Sequence, residues 1–241
     1  MEVEVDPLEA VIDEQTDTIY TTNGSGTITV VNGTRCNAEV TSGCSKPLAT
    51  ITTGWGLVAG AINPATHTMY VANLNGSVFV IDVSKCNAVT TSGCGQPVKS
   101  VADSLGPAGI DVDVATDTVY AVNPGTGTGN TVSVINGATC NGTDTAGCSK
   151  PIPTVGVGRS PLLVAVDTST DFIYVTDASS AGVSVVKGAT CNAEVTQGCR
   201  QPAPEQAVGS IPFGLAVNQD SNTVYAVSSF NGSISIFEGS Q

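Results

Sequence analysis

One pattern recurs five times along this chain and constrains its fold more than any other feature. A tyrosine stands at the same place in each unit, Tyr20, Tyr70, Tyr120, Tyr174 and Tyr225, at intervals of 50, 50, 54 and 51 residues. The strings around them read DTIYTTN, HTMYVAN, DTVYAVN, DFIYVTD and NTVYAVS. A second alternating run follows each: GTITVVN, GSVFVID, NTVSVIN, GVSVVKG and GSISIFE. A nearly all-apolar run precedes each: LEAVID, LVAGAIN, AGIDVD, LLVAVD and FGLAVN. Four of the five units continue into C-N-x5-G-C-x2-P, as in Cys36 to Pro47, and then a short run such as LATITTG.

Each unit therefore encodes four strands. The first has no polar face and is expected to be buried on both sides, while the next two alternate with period two. Helix-period segments are absent. Four-stranded units repeating at about 50 residues predict an all-β fold, a β-propeller with four-stranded antiparallel blades. A β-sandwich is the alternative, but it would not repeat turns, tyrosines and cysteine loops in this order.

The repeats run over 7–53, 54–104, 105–157, 158–209 and 210–241, one propeller domain of five blades. The last unit reaches Gln241 without a fourth strand, and Glu2 to Val5 resembles the fourth-strand segments that precede other units. The expectation is that this N-terminal strand pairs beside Ser233 to Phe237 and closes the ring, hiding both edges. The rival is an arc of a six- or seven-bladed ring, against which the complementary ends argue. The same strand is also able to complete a neighbour's ring, giving self-association by strand exchange.

The eight cysteines fall into pairs of one uniform spacing, Cys36 and Cys44, Cys86 and Cys94, Cys140 and Cys148, Cys191 and Cys199. That uniformity selects four local disulfides. Zinc would need closer cysteines and more than the single histidine, His67. Four disulfides imply an oxidising compartment, outside the cell or at its surface. The N-terminal MEVEVDPLEAVID has no charged segment followed by an apolar one, so it is no signal peptide, and the chain reads as a mature form or an excised domain.

The strings AVDTSTDFIYVTD, AINPATHTMYVAN and AVDVATDTVYAVN are similar to the YVTN-type β-propeller repeat of secreted and cell-surface bacterial and archaeal proteins. The resemblance covers the whole chain and implies the propeller fold and a cell-surface setting. It implies no activity, because similar blades serve surface-layer proteins, lyases and electron-transfer enzymes. The cysteine loop departs from the usual repeat.

A net charge of -13, with 8 Lys+Arg against 21 Asp+Glu, excludes a phosphate-neutralising nucleic-acid binder. No apolar run approaches the roughly 20 residues of a membrane-spanning helix. Acids and amides recur at the end of each first strand (Asp13, Asn63, Asp113, Asp167, Asn218) and four residues on (Asp17, His67, Asp117, Asp171, Asn222). A residue type present in every unit reads as turn chemistry, not as a catalytic set. Asn37, Asn87, Asn141 and Asn192 after each first cysteine read the same way.

Positions where the units differ point to function. Loops entering each first strand share one end of a propeller with the loops between second and third strands. These loops place Trp55, Leu105, Arg159 and Ile211, together with Asp177 and Phe230, on a candidate binding face. Trp55 is the only tryptophan; it is either a plug over the central channel or a recognition anchor. Asn23, Asn32, Asn75, Asn141 and Asn231 lie in glycosylation sequons. No nucleophile elbow, P-loop, dinucleotide or zinc-protease motif is present. The expected function is a non-enzymatic binding, adhesion or assembly module at the cell surface, with no cofactor or metal and with a protein or glycan partner. The alternatives are a structural subunit of a surface layer or filament, and a glycan-processing or lyase-type enzyme.

Overall fold

The computed structural model describes residues 3–103 and 105–241. The first blade comprises β1 (Pro7–Asp13), β2 (Thr18–Asn23), β3 (Thr27–Asn32) and β4 (Ala49–Thr52). The second comprises β5 (Leu57–Asn63), β6 (Thr68–Asn73), β7 (Ser77–Asp82) and β8 (Lys99–Ala102). The third holds β9 (Ile110–Asp113), β10 (Thr118–Asn123), β11 (Thr131–Asn136) and β12 (Thr154–Gly156). The fourth holds β13 (Pro161–Asp167), β14 (Phe172–Asp177), β15 (Gly182–Lys187) and β16 (Glu205–Ala207). The fifth has β17 (Pro212–Asn218), β18 (Thr223–Ser228) and β19 (Ser233–Glu238). Each sheet is an antiparallel meander in chain order. This is the predicted all-β propeller of five blades.

The repeated turn residues do what their chemistry predicts. Asp13, Asn63, Asp113, Asp167 and Asn218 accept backbone amides two or three residues on. Asp17, His67, Asp117, Asp171 and Asn222 all adopt positive φ, between 46° and 58°. Asx residues tolerate this left-handed geometry best. His67 is thus a turn residue in the same role.

The blades are joined face to face by a repeated clamp. The Tyr20 hydroxyl donates to the Cys86 carbonyl, Tyr70 to Cys140 and Tyr120 to Cys191, each at 2.8 Å. Thr18, Thr68 and Thr118 accept the amides of Ala88, Gly142 and Ala193 through their hydroxyls. Each blade therefore grips the cysteine loop of the next. Burial pushes the three phenols above their ordinary pKa, so they stay donors. Tyr174 has no such loop ahead of it, and its hydroxyl accepts the Ser240 amide instead.

All four expected disulfides form, with Cα–Cα distances of 4.8 to 4.9 Å. Within each loop the asparagine after the first cysteine donates to the carbonyl four residues back and accepts amides ahead. The glycine before the second cysteine is there for closeness: a Cβ at Gly43 would lie 2.6 Å from the Arg35 Cβ.

The N-terminal strand differs from expectation. Glu2 lies outside the described residues, and Val3 to Asp6 form no strand. Among the described residues the last blade has three strands, with β19 at its edge. Asp6 is instead tied to its own blade: it turns through φ 63°, and its carbonyl accepts the Gly24 amide at 2.8 Å.

Candidate recognition face

Each first strand is entered through one left-handed residue. Asp6, Gly56, Gly106, Ser160 and Ile211 occupy equivalent positions and all have positive φ, from 53° to 94°. In four blades this residue's carbonyl accepts an amide from the loop between second and third strands: Gly24 to Asp6, Leu74 to Gly56, Ala178 to Ser160 and Ser229 to Ile211. The bond fastens the two families of loops together, so they form one end of the molecule. It also turns the preceding residue outward.

That preceding residue is Trp55 in the second blade. Its carbonyl accepts side-chain amides from Asn73 at 2.9 Å and Asn75 at 2.6 Å, while the indole is 76% exposed. The indole thus stands in solvent, as a recognition anchor would. Arg159, its counterpart in the fourth blade, is also exposed; its amide donates to the Ser180 hydroxyl and its carbonyl accepts the Ser179 amide. Leu105 and Ile211 are exposed, and Phe230 is 78% exposed. Five of the six candidates therefore stand on one end, on loops held by backbone bonds.

Asp177 does not join them. It is completely buried at the end of β14 and accepts the Ser184 hydroxyl at 2.7 Å through Oδ2, while Oδ1 meets no donor. Burial pushes its carboxyl up to about 7. The same position holds Asn23, Asn73 and Asn123 in the first three blades, and Asn23 and Asn123 donate to Thr29 and Ser133. Asp177 is a framework residue beneath the face. We expect Asp177→Asn to stabilise the protein at pH 7 by about 1–2 kcal/mol, the cost of a poorly satisfied buried polar group. Because the folded-state pKa is raised, the fold holds a proton that the unfolded chain has lost, so stability falls as pH rises from about 4 to 7. Thermal melts across that range would show the slope in the parent and its reduction in the variant. An unchanged slope would refute this assignment.

Two carboxylates that sequence reading passed over lie on innermost strands. Glu9 accepts the Gly60 amide at 2.6 Å, and Asp111 accepts those of Val166 and Val112, both at 2.8 Å. Burial raises both, Asp111 to about 6, and the charge of Asp111 raises Glu9 further. Each carboxylate accepts a backbone amide from the first strand of the next blade, Gly60 on β5 or Val166 on β13, which fastens inner strands together. The signal was an acid inside an otherwise apolar run, LEAVID and GIDVD.

Exposure sorts the sequons. Asn23 and Asn141 are buried, and their side-chain amides are hydrogen-bonded. The folded form has no room for a glycan at either, which corrects the expectation there. Asn32 is half-buried and bonds the Ala88 carbonyl; Asn75 and Asn231 are exposed. A cleft of about 590 Å³ lies at the opposite end, between cysteine loops, lined by Ile51, Val80, Lys85, Lys99 and Thr143.

No protein-family model matches the chain. No curated protein matches it either. Solved structures do. Hydrazine synthase from Kuenenia stuttgartiensis matches all of this chain over 65% of its own, with TM-score 0.72 and 16% identity. The Cps50 (Swd1) β-propeller domain from Myceliophteria thermophila matches 94% of this chain over 64% of its own, with TM-score 0.66 and 8% identity. A chain of the mitotic checkpoint complex matches 96% of this chain over 62% of its own, with TM-score 0.67 and 12% identity. The chain thus spans a little under two thirds of the length of each. At these identities the likeness is one of fold, and it places the chain among β-propellers.

Proposed function

We propose that this protein is a non-enzymatic recognition module of the cell exterior, of the YVTN-repeat kind, that binds a protein or glycan through its loop end. The carrying observation is the exposure of Trp55, Phe230 and Arg159 on loops whose backbones are hydrogen-bonded in place. Aromatic and arginine side chains presented rigidly lose little entropy on binding and dominate recognition surfaces. The four disulfides support an oxidising setting. The neighbouring structures are compatible with the reading in that propellers serve in assemblies as well as in enzymes.

The test is a glycan array and a displayed-peptide library probed with the intact protein. Trp55→Ala and Arg159→Ala are expected to weaken whatever binding is found by at least about tenfold, a loss of ~1.4 kcal/mol or more. Melting temperatures should stay within about 2 °C of the parent, since both side chains are exposed. Undiminished binding by both variants would overturn the reading.

A further inference from the structure

Interior blades bury both faces; the first and last blades each bury one. On the outward face of the fifth blade Ile234 is 61% exposed and Ile236 64%, while their first-blade counterparts Ile28 and Val30 are completely buried against the second blade. Tyr225, unlike the clamping tyrosines, makes no side-chain bond to a cysteine loop, and Thr223 bonds only Ser221. On the outward face of the first blade Ile12 is 61% exposed, and Leu8 is exposed beside it. The Cys36 loop there is open: Asn37 is exposed, whereas Asn87, Asn141 and Asn192 are buried in the grip of the blade before them.

These two faces are complementary halves of the interface that repeats between every pair of adjacent blades. One offers the tyrosine and threonine that grip; the other offers the loop that is gripped. Among the described residues no apolar cluster joins the two. We infer that a segment of two further blades of the same repeat, supplied from outside these 241 residues, occupies the space between the fifth blade and the first. The cysteine loop of its first whole blade would receive Tyr225, and the tyrosine of its last blade would grip the Cys36 carbonyl. Continuity with the established interface selects this occupant, because only another such blade presents both the apolar stripe and the loop. Size agrees: the matched propellers have about a third of their length beyond this chain, room for two or three blades and not for a second five-bladed copy.

The experiment extends the chain after Gln241 with a second copy of its own residues 86–190. In phase, this supplies the fifth blade's missing loop and fourth strand, a whole sixth blade and three strands of a seventh, with every cysteine paired. The extended chain is expected to melt at least about 10 °C higher than the 241-residue chain, and to lose the anilinonaphthalene sulfonate fluorescence that the shorter chain shows. Equal melting temperatures and equal dye binding would overturn the inference. Ile234→Ser with Ile236→Ser in the 241-residue chain keeps it falsifiable if the extension misfolds. The double variant should melt within about 2 °C of its parent and bind less dye. A clear fall in melting temperature, or a parent that binds no dye, would show the face already covered and refute the proposal. So would a discrete dimer that excludes the dye, which would assign the face to a second copy.

Discussion

Tyr120→Ala is expected to lower the free energy of unfolding by about 3–5 kcal/mol, the usual cost of removing a fully buried aromatic ring. The side chain is completely enclosed between the third and fourth blades, among Val132, Val134, Val166 and Ile173. Its hydroxyl satisfies the Cys191 carbonyl at 2.8 Å. Tyr120→Phe separates the two contributions: it keeps the ring and orphans the carbonyl, which costs about 1–2 kcal/mol. Urea denaturation of both variants gives the comparison. Tyr225→Phe is the internal control, expected to change stability by less than about 0.5 kcal/mol because no cysteine loop faces it. A Tyr120→Phe variant as stable as the parent would show that the clamp bond carries no net stability.

Reduction of all four disulfides should lower the melting temperature by about 20 °C or more while leaving the far-ultraviolet signature of β-structure intact at 25 °C. Each bridge closes a loop of about nine residues, and the loop-entropy relation assigns about 2.5 kcal/mol to such a closure. For a chain of this size each kcal/mol corresponds to about 2–4 °C. The loss exceeds simple loop opening in one respect, because Tyr20, Tyr70 and Tyr120 bond to carbonyls of cysteines inside these loops. Cys86→Ser with Cys94→Ser should therefore also loosen the first blade, and hydrogen exchange at β3 and β4 would register it. Survival of the fold is expected because apolar burial between blades remains. Complete unfolding on reduction at 25 °C would mean that the staples, and not the blade faces, hold the structure.

The fold was legible because its signals are local and repeated. The tyrosine register, the cysteine spacing and the Asx turns each depend on residues within one unit, and five copies average out exceptions such as His67. Loop exposure was legible for Trp55, which stands between Gly54 and Gly56, and for Phe230, which stands in the turn string SSFNGS. Asp177 was misplaced because its string, DASS, looks like a loop, whereas the register puts it opposite Gly182 as the last strand residue. The comparison that locates it is with Asn23, Asn73 and Asn123, which hold the same position and have amides to donate. Closure was not legible for a physical reason. The alternation in SISIF shows that one face is apolar, but burial of that face depends on what lies beside it, and nothing within the strand encodes that. The same is true of Glu9 and Asp111, which accept the amides of Gly60 and Val166 in neighbouring blades.

The sole tryptophan tests the central claim, that the loop end is the recognition surface. In the free protein Trp55 should emit as a water-exposed indole and be quenched freely by acrylamide, in keeping with its 76% exposure. Addition of a glycan or peptide selected by the intact protein should shift that emission to shorter wavelength and protect it from the quencher, saturating with the same affinity as binding itself. A ligand that saturates the protein while Trp55 emission and quenching stay unchanged would place recognition elsewhere and contradict the account.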